Sequence, residues 1–81
     1  LNYNFFAGND PFPQPYLKVC LKNPEVELII KGELSIGGDI FYASLSDVNS
    51  SSFLSQNEKR DLRTELENRT RNEKVKILFD I

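Results

Sequence analysis

Two apolar stretches flank the short sequence Gly37-Gly38-Asp39, and this arrangement restricts the possible folds more than any other feature of the chain. Over residues 25–36, apolar side chains fall mostly at every second position, and residues 39–46 form a second run rich in β-branched and aromatic residues. A period of two is typical of a half-buried strand, and Gly-Gly-Asp between two such runs is typical of a tight turn. The pattern therefore predicts a β-hairpin made of residues 25–36 and 39–46.

Two further stretches, residues 16–22 and 74–81, alternate in the same way and predict strands. Gly32 interrupts the first strand of the hairpin without changing the phase of the alternation. An unchanged phase favours a close approach of another part of the chain at Gly32 over a β-bulge. Residues 47–52 are polar and predict a loop after the hairpin.

A single helix is predicted over residues 56–70, which contain no Gly or Pro. Ser55 and Glu58 have the spacing of a capping box, in which each side chain bonds the other residue's backbone N–H. Leu62 and Leu66 lie one turn apart and form a narrow apolar stripe, so the helix should cover one face of the sheet. Two ion pairs at i,i+4 spacing are expected: Glu65 with Arg69, and Glu67 with Arg71.

The expected fold is α+β, with the order β-β-β-α-β, a mostly antiparallel sheet, and one helix packed on one face. Residues 1–15 read as an extended aromatic and proline-containing arm, and residues 16–81 as a single α+β domain. The sheet face away from the helix is not wholly polar. Its expected apolar members depend on the register: Cys20, Ile29, Leu78, and either Phe41 or Tyr42.

The composition argues against several kinds of chemistry. The 81 residues include no His, which removes the commonest general base and metal ligand, so we expect no enzymatic activity, no metal site and no cofactor. Cys20 is the only Cys, which excludes an internal disulfide and favours a reducing compartment, the cytoplasm being the expected location. No apolar run approaches the ~18 residues that a membrane-spanning helix needs. Because the chain begins with Leu1 rather than Met, we expect that a preceding segment was removed or left out.

Aromatic residues are concentrated in the N-terminal arm, where little local structure is available to bury them. One interpretation is that they fold back over the uncovered sheet face of their own domain. The other is that they bind a protein partner, since exposed apolar segments mark interaction sites. The predicted partner-binding residues are Tyr3, Phe5, Phe6 and Phe12.

Basic residues are concentrated in the helix and the strand after it, although the net charge of the chain is −2. They form the basis of an alternative function, the binding of a nucleic acid through phosphate contacts. Interleaved carboxylates weaken this alternative, and a third one, metal-dependent hydrolysis, would need Glu25, Glu27 and Glu33 to act together. The candidate nucleic-acid contacts are Arg60, Arg63, Arg71, Lys74 and Lys76.

These observations lead to one working hypothesis and one rival. The hypothesis is a non-enzymatic protein–protein interaction or assembly module that associates through its arm and its exposed sheet face, with another protein or with itself as a homo-oligomer. The rival is a small nucleic-acid-binding protein that uses the basic helix and the final strand.

Overall fold

The computed structural model describes residues 1–8, 13–22 and 25–79, and these form one mixed five-stranded sheet with two helices. The strands lie side by side in chain order. The first three neighbouring pairs are antiparallel and the last pair is parallel. The elements are β1 (Asn2–Phe6), β2 (Tyr16–Leu21), β3 (Val26–Leu34), β4 (Ile40–Ala43), α1 (Leu45–Asn49), α2 (Gln56–Arg69) and β5 (Lys76–Phe79).

The α+β class is confirmed, but the predicted order β-β-β-α-β is not, because the chain has an additional strand and an additional helix. The additional strand is β1, which lies within the segment predicted as an arm and pairs with β2. Its alternation spans only five residues, and prolines follow it closely in the sequence. A strand this short is stabilised by its pairing with β2 rather than by the local preference of its residues.

The additional helix, α1, replaces part of the predicted polar loop over residues 47–52 and ends the hairpin earlier than expected. Val48 is fully buried in the core, which gives this single turn a reason to form. The side chain of Asp47 accepts a hydrogen bond from the backbone N–H of Lys31 at 2.8 Å and so holds α1 against β3. The prediction of a single helix on the sheet is therefore wrong.

The predicted β-hairpin is confirmed as β3 and β4, with shorter strands than expected. In the turn of this hairpin, Gly38 adopts a φ of 72°, which residues with a side chain rarely adopt. The N–H of Ser35 donates to the carbonyl of Ile40 at 2.8 Å and closes the turn. Gly32 marks a close approach, because an added Cβ would lie 2.2 Å from the carbonyl oxygen of Tyr42. Gly32 is also where β3 changes partner, from β2 to β4, so the sheet curls there.

The helix predicted over residues 56–70 is present as α2, and its capping box is formed. Ser55 N–H donates to Glu58 Oε1 at 2.8 Å, and Glu58 N–H donates to Ser55 Oγ at 3.2 Å. Lys59 is buried, and its ammonium donates to the carbonyl of Asn49 at 2.7 Å. This bond ties the first turn of α2 to the end of α1.

Both helices pack on the same face of the sheet, and the core lies between them and that face. The buried apolar residues are Leu17, Val19, Leu28, Ile30, Phe41, Ala43, Val48, Leu62, Leu66 and Ile77. The final strand, predicted over residues 74–81, is observed as β5, and its last two predicted residues, 80 and 81, lie outside the described residues. Within the described segments, no helix packs on the other face of the sheet.

Candidate functional site

Tyr3 and Phe5, two of the predicted partner-binding residues, point to the core face of β1. In the register they lie directly opposite Val19 and Leu17, which are fully buried. The Phe5 ring packs edge-on against the ring of Phe41, with the centroids 5.3 Å apart. Both arm residues are half-buried against the core of their own chain, on the face that carries the helices rather than on the uncovered face.

Phe6, the third predicted residue, points to the opposite face. Its ring stacks on that of Tyr16 with the centroids 4.8 Å apart and an interplanar angle of 14°. Tyr16 is buried, whereas Phe6 remains 38% exposed. Phe12, the fourth predicted residue, lies outside the described residues. Within the described part of the arm, therefore, only Phe6 presents a large ring to the uncovered face.

We call the uncovered side of the sheet the outer face. The strand registers place fourteen residues on it: Asn2, Asn4, Phe6, Tyr16, Lys18, Cys20, Glu27, Ile29, Lys31, Glu33, Ile40, Tyr42, Lys76 and Leu78. Tyr42 and Leu78 are direct neighbours on β4 and β5 and are 40% and 44% exposed. The register therefore selects Tyr42, not Phe41, as the outer-face aromatic, because Phe41 is fully buried.

The outward backbone groups of the two edge strands, β1 and β5, differ in their hydrogen bonding. At β5, the N–H of Ile77 donates to Thr70 Oγ1 at 2.9 Å, and the N–H of Phe79 donates to Glu67 Oε2 at 3.1 Å. Both acceptors belong to the C-terminal part of α2 and the residue that follows it. These two bonds satisfy the donors that would otherwise pair with a further strand, so we call β5 the capped edge.

At β1 the outward groups follow from the ladder pattern. Gly32 N–H donates to the carbonyl of Pro15 at 3.1 Å. Because bonded and non-bonded pairs alternate along an antiparallel ladder, the odd-numbered residues of β2 form their backbone hydrogen bonds with β3. The even-numbered residues of β2 then bond β1, and their partners are Asn2, Asn4 and Phe6. The N–H and C=O groups of Tyr3 and Phe5 consequently point away from the sheet.

No residue in the described segments bonds these outward groups of Tyr3 and Phe5, so we call β1 the open edge. The carbonyl of Leu1, the next outward group, is occupied, because Arg69 Nη1 donates to it at 2.6 Å. The Arg69 guanidinium also lies 6.0 Å from the centre of the Tyr3 ring. A recess of about 640 Å³ lies at the N-terminal part of β1 and is lined by Leu1, Asn2, Tyr3, Asn4, Cys20 and Arg69.

No pattern in the sequence indicates Thr70 and Glu67 as capping residues. Glu67 was expected to pair with Arg71, but its carboxylate reaches Phe79 instead, and Arg71 donates to Asn68 Oδ1 at 2.6 Å. The other expected pair, Glu65 with Arg69, is present at 3.3 Å. A contact between a helix side chain and a strand backbone depends on how the elements pack, and periodicity within one element does not reveal it.

The candidate nucleic-acid contacts are spread over α2, the turn after it and β5. Arg60 donates to Asn57 Oδ1 at 3.3 Å, and the ammonium of Lys76 donates to the carbonyl of Glu73 at 3.4 Å. Arg60 and Arg63 lie two turns and one turn before Glu67, on the side of α2 that faces the capped edge. Lys76 is on the outer face of β5, while Arg71 and Lys74 lie exposed in the turn between α2 and β5.

The carboxylates proposed for metal-dependent hydrolysis lie apart from one another. Glu27 pairs with Lys18 at 3.3 Å across the outer face, and Glu33 lies further along β3, opposite Tyr42. Over residues 1–8, 13–22 and 25–79, no three Cys, Asp or Glu side chains come together as a set that could hold a metal ion. In the same segments, none of the helices is both long and apolar enough to cross a bilayer.

Comparisons with known proteins find nothing similar to this chain. No protein-family model matches the chain, no curated protein matches it, and no solved structure matches its fold. Over the described residues, the geometry offers three features for a functional site: an outer face without a helix, a capped edge at β5 and an open edge at β1.

Proposed function

We propose that this protein is a non-enzymatic protein–protein interaction or assembly module that associates through the outer face and the N-terminal strand. The observation that carries the proposal is the one-sided placement of the helices. Both α1 and α2 contribute to the core on one face, whereas Tyr42, Leu78 and Phe6 remain exposed on the other. Exposed apolar side chains grouped on one surface are typical of sites that bind proteins.

The charges of the outer face suit a protein partner. Lys31 and Glu33 lie on β3 between the Phe6–Tyr16 stack and the Tyr42–Leu78 pair, and they carry opposite charges. A phosphate backbone would favour basic groups without interleaved acids. A protein interface instead combines apolar groups with polar and charged groups at its rim, and the outer face offers both kinds of group.

The role of the arm is narrower in this proposal than the sequence suggested. Tyr3 and Phe5 support the core, so removing residues 1–15 would remove an edge strand and destabilise the domain. Among the described residues of the arm, Phe6 is the aromatic side chain that remains most accessible to a partner, and the outward backbone groups of β1 are accessible too. The cytoplasm, or another reducing compartment, remains the proposed location, and the thiol of Cys20 is unpaired.

Site-specific photo-cross-linking tests the outer face. The photoreactive residue p-benzoylphenylalanine would replace Tyr42 on the outer face or, as a matched control, Thr64, which is exposed on α2. Irradiation of the purified protein, and of the protein in an extract of the cells that produce it, should give cross-linked protein from position 42 but not from position 64. The proposal is wrong if position 42 yields only uncross-linked monomer in both samples, or if the two positions yield the same products.

A further inference from the structure

We propose that the open edge pairs with the open edge of a second copy of the chain, so that two sheets join into one continuous sheet. This inference rests on the proposed assembly function and names its partner. The four outward groups of the open edge, the N–H and C=O of Tyr3 and of Phe5, have no partner among the described residues.

The free groups restrict the register of such a pair. An antiparallel strand forms its bonds between directly opposite residues at every second position. If Asn4 lies on the two-fold axis, Tyr3 of each copy is opposite Phe5 of the other, and all four outward groups on each strand are satisfied. A register centred on Tyr3 would need the carbonyl of Leu1, which Arg69 already occupies at 2.6 Å. The contact with Arg69 therefore favours the register centred on Asn4.

The side chains of β1 are compatible with this symmetric pairing. Its five residues, Asn-Tyr-Asn-Phe-Phe, include no acidic or basic side chain and no Pro. Charged residues and Pro are the means by which edge strands usually prevent pairing with another chain, and β1 has neither. On the core face the pairing places Tyr3 against Phe5 of the second copy, an aromatic cross-strand pair of the kind that stabilises antiparallel sheets.

The neutrality of β1 is compatible with a second copy as the partner. Because β1 is neutral, its copy brings no like charge into the pairing. On the outer face, the two Asn4 side chains meet at the axis, where each amide can donate to and accept from the other. The joined sheets would also place both outer faces on one side, which extends the surface proposed to bind proteins.

Charge substitutions at the axis test the inference. Asn4 is exposed on the outer face, so Asn4→Lys and Asn4→Asp leave the bonds between β1 and β2 in place. In a symmetric pair each substitution sets two like charges directly opposite each other, whereas a mixture of the two variants sets Lys against Asp. Thr64→Lys adds the same charge on the exposed side of α2 and serves as the control.

Sedimentation velocity over a roughly hundredfold range of protein concentration gives the readout. We expect the wild type and Thr64→Lys to form dimers as concentration rises. Asn4→Lys and Asn4→Asp should each weaken self-association by at least about tenfold, and their equimolar mixture should restore it as a heterodimer. Circular dichroism should show the same folded state for all four proteins.

Two results would overturn the inference. A wild type that stays monomeric over the whole range has no second copy as partner, and a dimer that survives both Asn4 substitutions uses another surface. Neither result decides the proposed function, because cross-linking at position 42 in the cell extract reports on the outer face independently. Conversely, an Asn4-dependent dimer without any cross-link at position 42 would support the edge pairing and contradict the role of the outer face.

Discussion

The capped edge and the open edge begin from the same problem, a row of backbone groups with no neighbouring strand. At the capped edge, Thr70 and Glu67 supply acceptors for both outward N–H groups of β5. At the open edge, Arg69 occupies only the carbonyl of Leu1, and the next outward residues of β1 are left without partners in the described chain. Helix α2 and the residue after it thus protect the last strand of the sheet, whereas at the first strand Arg69 of α2 reaches only Leu1, the residue before β1.

The difference shows that edge protection in this fold comes from tertiary contacts rather than from strand composition. β5 has apolar side chains at three of its four positions and would be prone to pair with another chain if α2 did not cover its donors. β1 has neither a covering helix nor charged side chains. Two edges that look similarly unprotected in sequence therefore differ in their availability to a partner.

The largest expected effect comes from removing the buried acceptor of the capped edge. Thr70→Val keeps the shape of a buried side chain but leaves the N–H of Ile77 without its acceptor, whereas the carbonyl of Leu66 keeps the backbone N–H of residue 70 as a donor. Unfolding in urea should show a loss of about 1–3 kcal/mol, the cost of unsatisfied buried polar groups. The same change at exposed Thr64 should alter stability by less than about 0.5 kcal/mol. Equal losses at the two positions would contradict the capping role of Thr70.

A smaller effect is expected at the other cap. Glu67→Ala removes the acceptor for the N–H of Phe79, which is only partly buried, so water can replace part of the bond. The free energy of unfolding should fall by about 0.5–1.5 kcal/mol, and the Phe79 amide should exchange its hydrogen faster. Asp61→Ala, at an exposed position of the same helix, is the control. An unchanged exchange rate at Phe79 would show that Glu67 does not cap this edge.

Substitution of Arg69 should have a modest effect on stability and a specific effect on register. Arg69→Gln loses exposed contacts with the carbonyl of Leu1 and with Glu65, which together should change stability by less than about 1 kcal/mol. It also frees the carbonyl of Leu1, so a pairing centred on Tyr3 becomes available. Self-association should then be less sensitive to Asn4→Lys in the Arg69→Gln background, as measured by sedimentation. Equal sensitivity in both backgrounds would show that Arg69 does not set the register.

The smallest expected effect concerns the basic residues beside the capped edge. A double variant, Arg60→Gln with Arg63→Gln, removes two charges from the side of α2 away from the open edge. We expect its self-association to equal that of the wild type. Fluorescence anisotropy with single-stranded RNA should show no binding by either protein at moderate salt. Salt-dependent RNA binding that the double variant loses would favour the nucleic-acid alternative instead.

Features specified by neighbouring residues could be predicted from the sequence. The turn at Gly38 and the capping box of Ser55 and Glu58 depend on residues that are close in the chain, and both are present as expected. By contrast, β1 and α1 are short elements whose stability comes from distant contacts: pairing with β2, and the burial of Val48. Neither has enough residues to establish a period.

The candidate site was predicted less completely than the fold. The apolar character of the outer face followed from the alternation, but the choice of Tyr42 over Phe41 needed the register of β4. The contrast between the edges needed contacts from Thr70, Glu67 and Arg69, which bridge elements far apart in the chain. Side-chain bonds to a strand backbone are set by packing, so no pattern within one element indicates them.

Amide hydrogen exchange at four positions tests the contrast between the edges most directly. The amides of Ile77 and Phe79 should be protected at every protein concentration, because their acceptors lie in the same chain. Those of Tyr3 and Phe5 should exchange rapidly in dilute solution and become protected as concentration rises and a second copy pairs with them. Protection of Tyr3 and Phe5 that is already complete in dilute solution, or rapid exchange of Ile77 and Phe79, would contradict the account.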